Sequence, residues 1–407
     1  MIVMLKAGHA VALLTICLLV IGVLMVNSTE LRVGFETVQV THQSVFFGPP
    51  AVHAALAVGA LAFASLLPIR RLAGLTGWMA PAPWLLVLGT ILLLSAWLPG
   101  VGRAMNNSHR WVELAGIQFQ ASETIKWALP VFVAWLATRR TLDVRRFFTG
   151  ALPVLLLIAV ICGTIAVEDL GTAVLVASVS TLVLVAAGAR VGHLLMLVPL
   201  ALGGLVAAIL AEPYRVQRIF TYLDPYQDPE GSGWHIIQSF KAISGGGLLG
   251  RGLGAGEQKF DLVSDTTDFI FSIICEELGL LGAALIASAF LLLLFCGLSI
   301  MNDRRLDSCP PDAKGGDLGS FLRLMAFAVL LTLGLQAVFN MLVTTGLIPT
   351  KGIALPLISR GGTGWILTAF FLGLLPAIER TAEALEVQGE ARDPSSESTV
   401  ILETGAA

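Results

Sequence analysis

The chain alternates apolar runs with polar connections along almost its whole length. Ten runs are long enough, or nearly so, to cross a hydrocarbon core of ~30 Å, which takes roughly 20 residues of helix. They lie near 9–27, 51–68, 81–98, 121–137, 151–167, 170–189, 193–211, 269–300, 320–346 and 361–379. The pattern predicts an all-α polytopic membrane protein of about ten transmembrane helices. Only Glu168-Asp169 splits the fifth run from the sixth, so a tight turn is expected there. A large connection, 212–268, separates helices 7 and 8; it is rich in Gly, Asp and aromatics, and its apolar content argues for order. Residues 1–379 read as one transmembrane domain. In 380–407 the acidic residues outnumber Arg380 and Arg392, and the Ser/Thr-rich ending cannot bury a core, which predicts a disordered cytoplasmic tail.

Composition agrees with that reading. The chain is 56% hydrophobic and 13% charged, whereas a soluble domain carries about 25% charged residues. The net charge of -3 matters less than its distribution, because Lys and Arg in short loops set orientation. With the N-terminus inside, the inner loops hold Arg70, Arg71, Arg139, Arg140, Arg145, Arg146, Arg190, Arg304, Arg305 and Lys314. The short outer segments hold Arg32, Arg103, Arg110, Lys351 and Arg360. Both termini are therefore expected in the cytoplasm, with 99–120, 212–268 and 347–360 outside. Lys6 and the run Ala10–Val26 resemble a signal peptide, but no small-x-small cleavage site ends the run, so an uncleaved first helix is expected. Five scattered cysteines and six scattered histidines form no metal-binding or disulfide pattern.

The candidate chemistry sits at the expected outer ends. Asp268 stands where the long connection becomes apolar, and Glu276 and Glu277 follow inside the run. In a continuous helix Asp268, Ser272 and Glu276 share a face, with Glu276 roughly 12 Å deeper than Asp268. That spacing suits one acid–base group above a polar network; a helix cap with glutamates binding neighbouring helices fits as well. Phe119–Lys126 opens the fourth run. Ser122 and Glu123 suit a helix start, but Lys126 opposes the helix dipole. It would either form an anion site with Arg110 or snorkel to lipid headgroups. Asp169 reads as a cap of the sixth span.

Ser244–Gly254 is Gly-rich without a P-loop ending, which predicts a compact turn, with Arg251 and Lys259 available to an anionic ligand. Gln336, Asn340 and Thr344 form a polar stripe suited to interhelical hydrogen bonds. The segment 347–364, with two prolines, Lys351, Arg360 and a Gly-rich helix start, has the makings of an anion site.

Taken in order, Arg110-Trp111, FQASETIK at Phe119–Lys126, DLGT at Asp169–Thr172, Tyr214-Arg215 with Arg218 and Asp224-Pro225, the Gly-rich run, Asp268-Phe-Ile-Phe, EELG at Glu276–Gly279, Gln336/Asn340 and Pro349–Gly364 resemble the SEDS family. These are the polytopic peptidoglycan polymerases typified by FtsW, RodA and SpoVE. Pro349-Thr350-Lys351-Gly352 resembles the division type (FtsW) more than the elongation type (RodA). The resemblance implies a peptidoglycan glycosyltransferase that polymerises lipid II, with inversion, at the outer face of the cytoplasmic membrane. It makes Asp268 the catalytic base and Arg110, Glu123, Lys126, Arg215, Lys351 and Ser359 the substrate-binding residues. A divalent cation (Mg or Mn) would assist. The implied partners are a class B penicillin-binding protein and the division or elongation machinery; none is a nucleic acid. Ala121 replaces a usual Pro, Ser264 lies in an altered segment before Asp268, and Arg360 replaces a usual Tyr. The alternative reading is a lipid II flippase, which buried charges and a broken segment before the last helix would also suit.

Overall fold

All ten apolar runs form helices in the computed structural model, which describes residues 6–30, 47–99, 101–105, 108–114, 117–260, 262, 268–312 and 315–390. In chain order these are α1 (Ala7–Glu30), α2 (Pro49–Leu66), α4 (Pro81–Ser95), α5 (Ala121–Ala137), α6 (Leu152–Glu168), α7 (Leu170–Ala186), α8 (Val191–Leu210), α11 (Ile270–Met301), α12 (Leu318–Thr344) and α13 (Gly362–Glu390). Short α3 (Ile69–Gly74) lies between two of them, and α9 (Pro213–Leu223) and α10 (Trp234–Gly245) order the long connection. Among the described residues seven helices are long and apolar enough to cross a membrane; α4 and α7 are shorter apolar helices, and α5 has 17 residues. α5, α7, α12 and α13 are each more than half buried, whereas no residue of α8 is buried. The local starts follow ordinary rules. Proline opens α2, α4, α6 and α9, and Asp169 and Asp317 cap α7 and α12 by accepting from the Thr172 and Ser320 N–H groups.

Three features depart from the sequence reading. First, the connection before α5 carries a three-stranded antiparallel sheet, β1 (Gly102–Met105), β2 (Ser108–Leu114) and β3 (Ile117–Gln120). Trp111 pairs with Gln120, β3 runs straight into α5, and Val112 is buried with Ala96 and Ala121. Ala121 thus serves at the first helical position by packing, without a proline.

Second, α11 is two helices joined at Gly279, whose φ of 66° and ψ of −166° are not helical. The first half does not run deeper into the bundle. Its Asp268 carbonyl is held by Asn340, four residues inside the end of α12. Ser272 then meets Ser239, which also bonds the carbonyl of Thr344, the last residue of α12. Glu277 meets Ser28 in the last turn of α1. The glutamates therefore lie at the same end of the bundle as Asp268, because the break at Gly279 turns the chain before its long apolar half.

Third, α13 continues through Glu390, so residues 380–390 are helix rather than disordered tail. Partners distant in sequence hold the extension: Glu383 pairs with Lys6 at 2.7 Å, Glu386 with Arg305 at 2.7 Å, and Gln388 accepts from Arg70 at 3.1 Å. Ala382 and Leu385 are buried beneath them. Residues 391–407 lie outside the described residues.

Candidate active site

A cavity of about 230 Å³ opens where the sheet, the N-termini of α5, α7, α11 and α13, and the loop before α13 meet. Asp268, Glu123, Lys126 and Ser359 all line it, together with Trp111, Gln120, Thr172, Gln336 and Arg360. Four of the seven residues singled out from sequence are thus brought together from three chain segments.

Lys126 is 2% exposed and donates to Glu123 Oε2 at 2.7 Å and to Gln336 Oε1 at 2.8 Å. An ammonium has three N–H donors, so among the described residues one remains for a ligand in the cavity. Glu123 holds the lysine in place, and its Oε2 lies beside Gly364 in the first turn of α13, where the helix dipole favours an anion. Gln336 also donates to the Ala354 carbonyl at 2.8 Å, and Asn340 donates to the carbonyls of Asp268 and Ile353 at 2.9 and 2.8 Å. The polar stripe of α12 therefore fixes the lysine, the loop and the start of α11 at once. Its interhelical role is also how the site is assembled, which spacing along one helix cannot show.

Asp268 is half-buried at the mouth of α11. Gly352 faces it so closely that a Cβ there would lie 3.2 Å from Asp268 Oδ2. Ser359 shapes the loop: its Oγ accepts the Leu355 N–H at 2.7 Å and its carbonyl accepts the Trp365 Nε1–H at 2.7 Å.

The other residues lie elsewhere. Arg110 belongs to β2, but its side chain is outside the described residues; its neighbour Trp111 lines the cavity. Lys351 does not line the cavity. Its stem crowds Gly171 from the side of Asp169, and burial pulls its ammonium below the usual lysine range while Asp169 pushes the other way.

Arg215 does not line the cavity. It is buried and donates to the carbonyls of Ala166 and Val167 at 2.9 and 2.8 Å and of Ala208 at 2.9 Å. It satisfies the open ends of α6 and α8. Arg215→Met should therefore cost stability, about 1–3 kcal/mol per orphaned carbonyl at most. Thermal unfolding in detergent should fall while the folded fraction keeps its activity; the reverse pattern would return Arg215 to the site.

Arg251 and Lys259 are both held in ion pairs. Arg251 pairs with Glu257 at 2.6 Å, and Lys259 is buried against Glu277 at 3.2 Å. Ser264 lies outside the described residues. Arg360 stands at the cavity rim.

Residues 9–384 match the family model described as "Cell cycle protein", that of FtsW, RodA and SpoVE. The chain is 36% identical to the probable peptidoglycan glycosyltransferase FtsW of Geobacter metallireducens, over 90% of this chain and 92% of that one. It is 35% identical to stage V sporulation protein E of Bacillus subtilis, over 74% and 80%. Its fold matches a chain in a structure described as the structural coordination of polymerization and crosslinking by a peptidoglycan synthase complex. There the TM-score is 0.68 and the identity 27%, with 91% and 97% covered. It also matches Thermus thermophilus RodA, with TM-score 0.59, 25% identity, and 91% and 96% covered. From α1 to the last helix, the protein belongs to the FtsW/RodA/SpoVE family of cell cycle proteins.

Proposed function

We propose that the protein polymerises lipid II into glycan strands at the outer face of the cytoplasmic membrane, as an inverting glycosyltransferase serving division. The observation that carries this reading is the convergence of a half-buried carboxylate, Asp268, and a buried ammonium, Lys126, on one cavity. The reaction needs both. Asp268 takes the proton from the acceptor sugar hydroxyl as its oxygen attacks the donor's anomeric carbon. The bond from that carbon to the pyrophosphate oxygen breaks, and the lipid pyrophosphate leaves with the charge. Lys126, held by Glu123 and Gln336, offers its ammonium to that charge from the wall of the cavity. Attack opposite the leaving group turns an α-linked donor into a β-linkage.

Among the described residues no group of three or more His, Cys, Asp or Glu side chains could hold a metal. A resident metal cage does not fit this donor set. A magnesium or manganese ion would enter with the substrate and take its ligands mostly from pyrophosphate and water.

Likeness to a chain of a peptidoglycan synthase complex supports a class B penicillin-binding protein as partner. Purified protein given labelled lipid II, with and without that partner, tests the function. Polymer of many disaccharides supports it; intact lipid II moved across a vesicle with no polymer made would establish the flippase instead.

The orientation rests on the basic residues of the inner loops. Ser232 and Ser308 are both exposed and lie on opposite sides in this topology. In a cysteine-free background, an impermeant thiol reagent added to spheroplasts should label Ser232→Cys and spare Ser308→Cys. The opposite result would invert the protein.

A further inference from the structure

The buried group around Glu277 takes no part in the chemistry above, yet it is built with unusual completeness. At Gly279 the helix ladder is broken, and the Gly-rich connection repairs it. The carbonyls of Glu276 and Glu277 accept the N–H groups of Arg251 and Gly252 at 3.0 and 2.9 Å. The N–H groups of Leu280 and Leu281 donate to the carbonyls of Gly247 and Leu248 at 3.0 and 3.2 Å. Side chains at Gly250 or Gly279 would be forced into this joint, and both residues have positive φ. The half-helix 270–278 is thus fastened to residues 246–260 rather than to the long half of its own helix.

The two glutamates complete the fastening. Glu276 accepts from the N–H groups of Glu257 and Gln258 at 2.9 and 3.2 Å. Glu277 accepts from Ser28 Oγ at 2.5 Å, Gly256 N at 3.3 Å and Lys259 Nζ at 3.2 Å. Lys259 Nζ donates in turn to the carbonyls of Ser28 and Gly254 at 3.0 and 2.8 Å. Both members of the ion pair are 1% exposed or less, so either charge alone would be costly there. The network ties α1, the connection and the half-helix into one unit, and Asp268 stands two residues before that half-helix.

We propose that Lys259, Glu277 and Ser28 are positioning residues that set where Asp268 stands in the cavity. This inference rests on the reading of Asp268 as the base. A displacement of about 1 Å at a reacting group can cost on the order of 100-fold in rate, so a lever nine residues long has room to act.

The test uses full-length protein, lipid II polymerisation and separate lipid II binding, with rates taken per folded molecule. Lys259→Met should lower kcat by about 10- to 100-fold with KM changed by no more than about twofold. Lys259→Arg, which keeps the charge, should recover part of the loss. Ser28→Ala removes one hydrogen bond and leaves the ion pair intact, so it decides the matter if Lys259→Met does not fold; a loss of about threefold in kcat is expected. In an Asp268→Asn background Lys259→Met should change the residual rate little, since both act through one group. Unchanged kcat in folded Lys259→Met and Ser28→Ala, or an equal further loss in the Asp268→Asn background, overturns the inference. An active Asp268→Asn protein ends the general-base reading by itself, whatever Lys259 does. An inactive one beside a fully active Lys259→Met ends only the positioning role.

Discussion

Asp268→Asn should abolish all but about 1% or less of glycan-strand synthesis, because a general base contributes roughly 10²–10⁴-fold. The substitution keeps the size and planarity of the side chain and its fit against Gly352, but an amide cannot accept the proton of a sugar hydroxyl. The backbone hydrogen bond from Asn340 to the Asp268 carbonyl is untouched. Membrane insertion, thermal stability and lipid II binding should therefore stay near those of the parent. Product analysis by gel, with binding measured on the same preparation, separates the two quantities. Strand synthesis within about tenfold of the parent by a folded Asp268→Asn protein would remove Asp268 from the chemistry. A helix-capping or scaffolding aspartate makes no such demand, and neither does a flippase.

The spans were legible because lipid asks for apolar residues around most of a helix, whatever its fine periodicity. Hydropathy alone is enough for that. The same property hides the break at Gly279, since apolar residues resume directly after Glu276-Glu277 and fill the rest of the run 269–300. Its freed backbone groups are satisfied by residues some 30 positions upstream, which no local pattern reports. The sheet was invisible for a different reason. Its strands have only 4, 7 and 4 residues, and steady alternation is confined to the four residues Ile117–Gln120. The extension of α13 depends on Lys6, Arg70 and Arg305, so its charges read as solvated only when those partners are ignored.

At the site, the ordered motifs brought Glu123, Lys126, Asp268 and Ser359 into view, and one cavity collects them. Lys126 stood out because it breaks the dipole rule, and the cause is now plain: Glu123 and Gln336 hold it. Arg215 entered only through the family resemblance. Its partners are carbonyl oxygens at the ends of two helices, and backbone acceptors leave no mark on the sequence. Gln336 carried a signal, the four-residue stripe, but the stripe says only that a helix has polar neighbours.

Lys126→Met should lower strand synthesis by about 10²-fold or more, the scale of losing one fixed donor at a developing negative charge. Methionine keeps most of the apolar stem, so packing against α12 should survive. The single variant nevertheless has a second consequence. It leaves Glu123 without its counter-charge and Gln336 Oε1 without its donor, in a place where the lysine is 2% exposed. Breaking a buried pair from one side costs up to about 3–5 kcal/mol. The cost here should be smaller, because Glu123 is partly exposed and lies near the N-terminus of α13. Lost activity could then come from a missing charge at the pyrophosphate or from a disturbed site. Lys126→Met combined with Glu123→Gln separates the two. The double variant removes both charges, so its melting temperature should recover towards the parent, while strand synthesis stays as low as in the single variant. Weaker binding of a lipid pyrophosphate without the sugar should accompany the loss in both. If activity returns together with stability, the ammonium serves only to neutralise Glu123, and the leaving group must find its charge elsewhere.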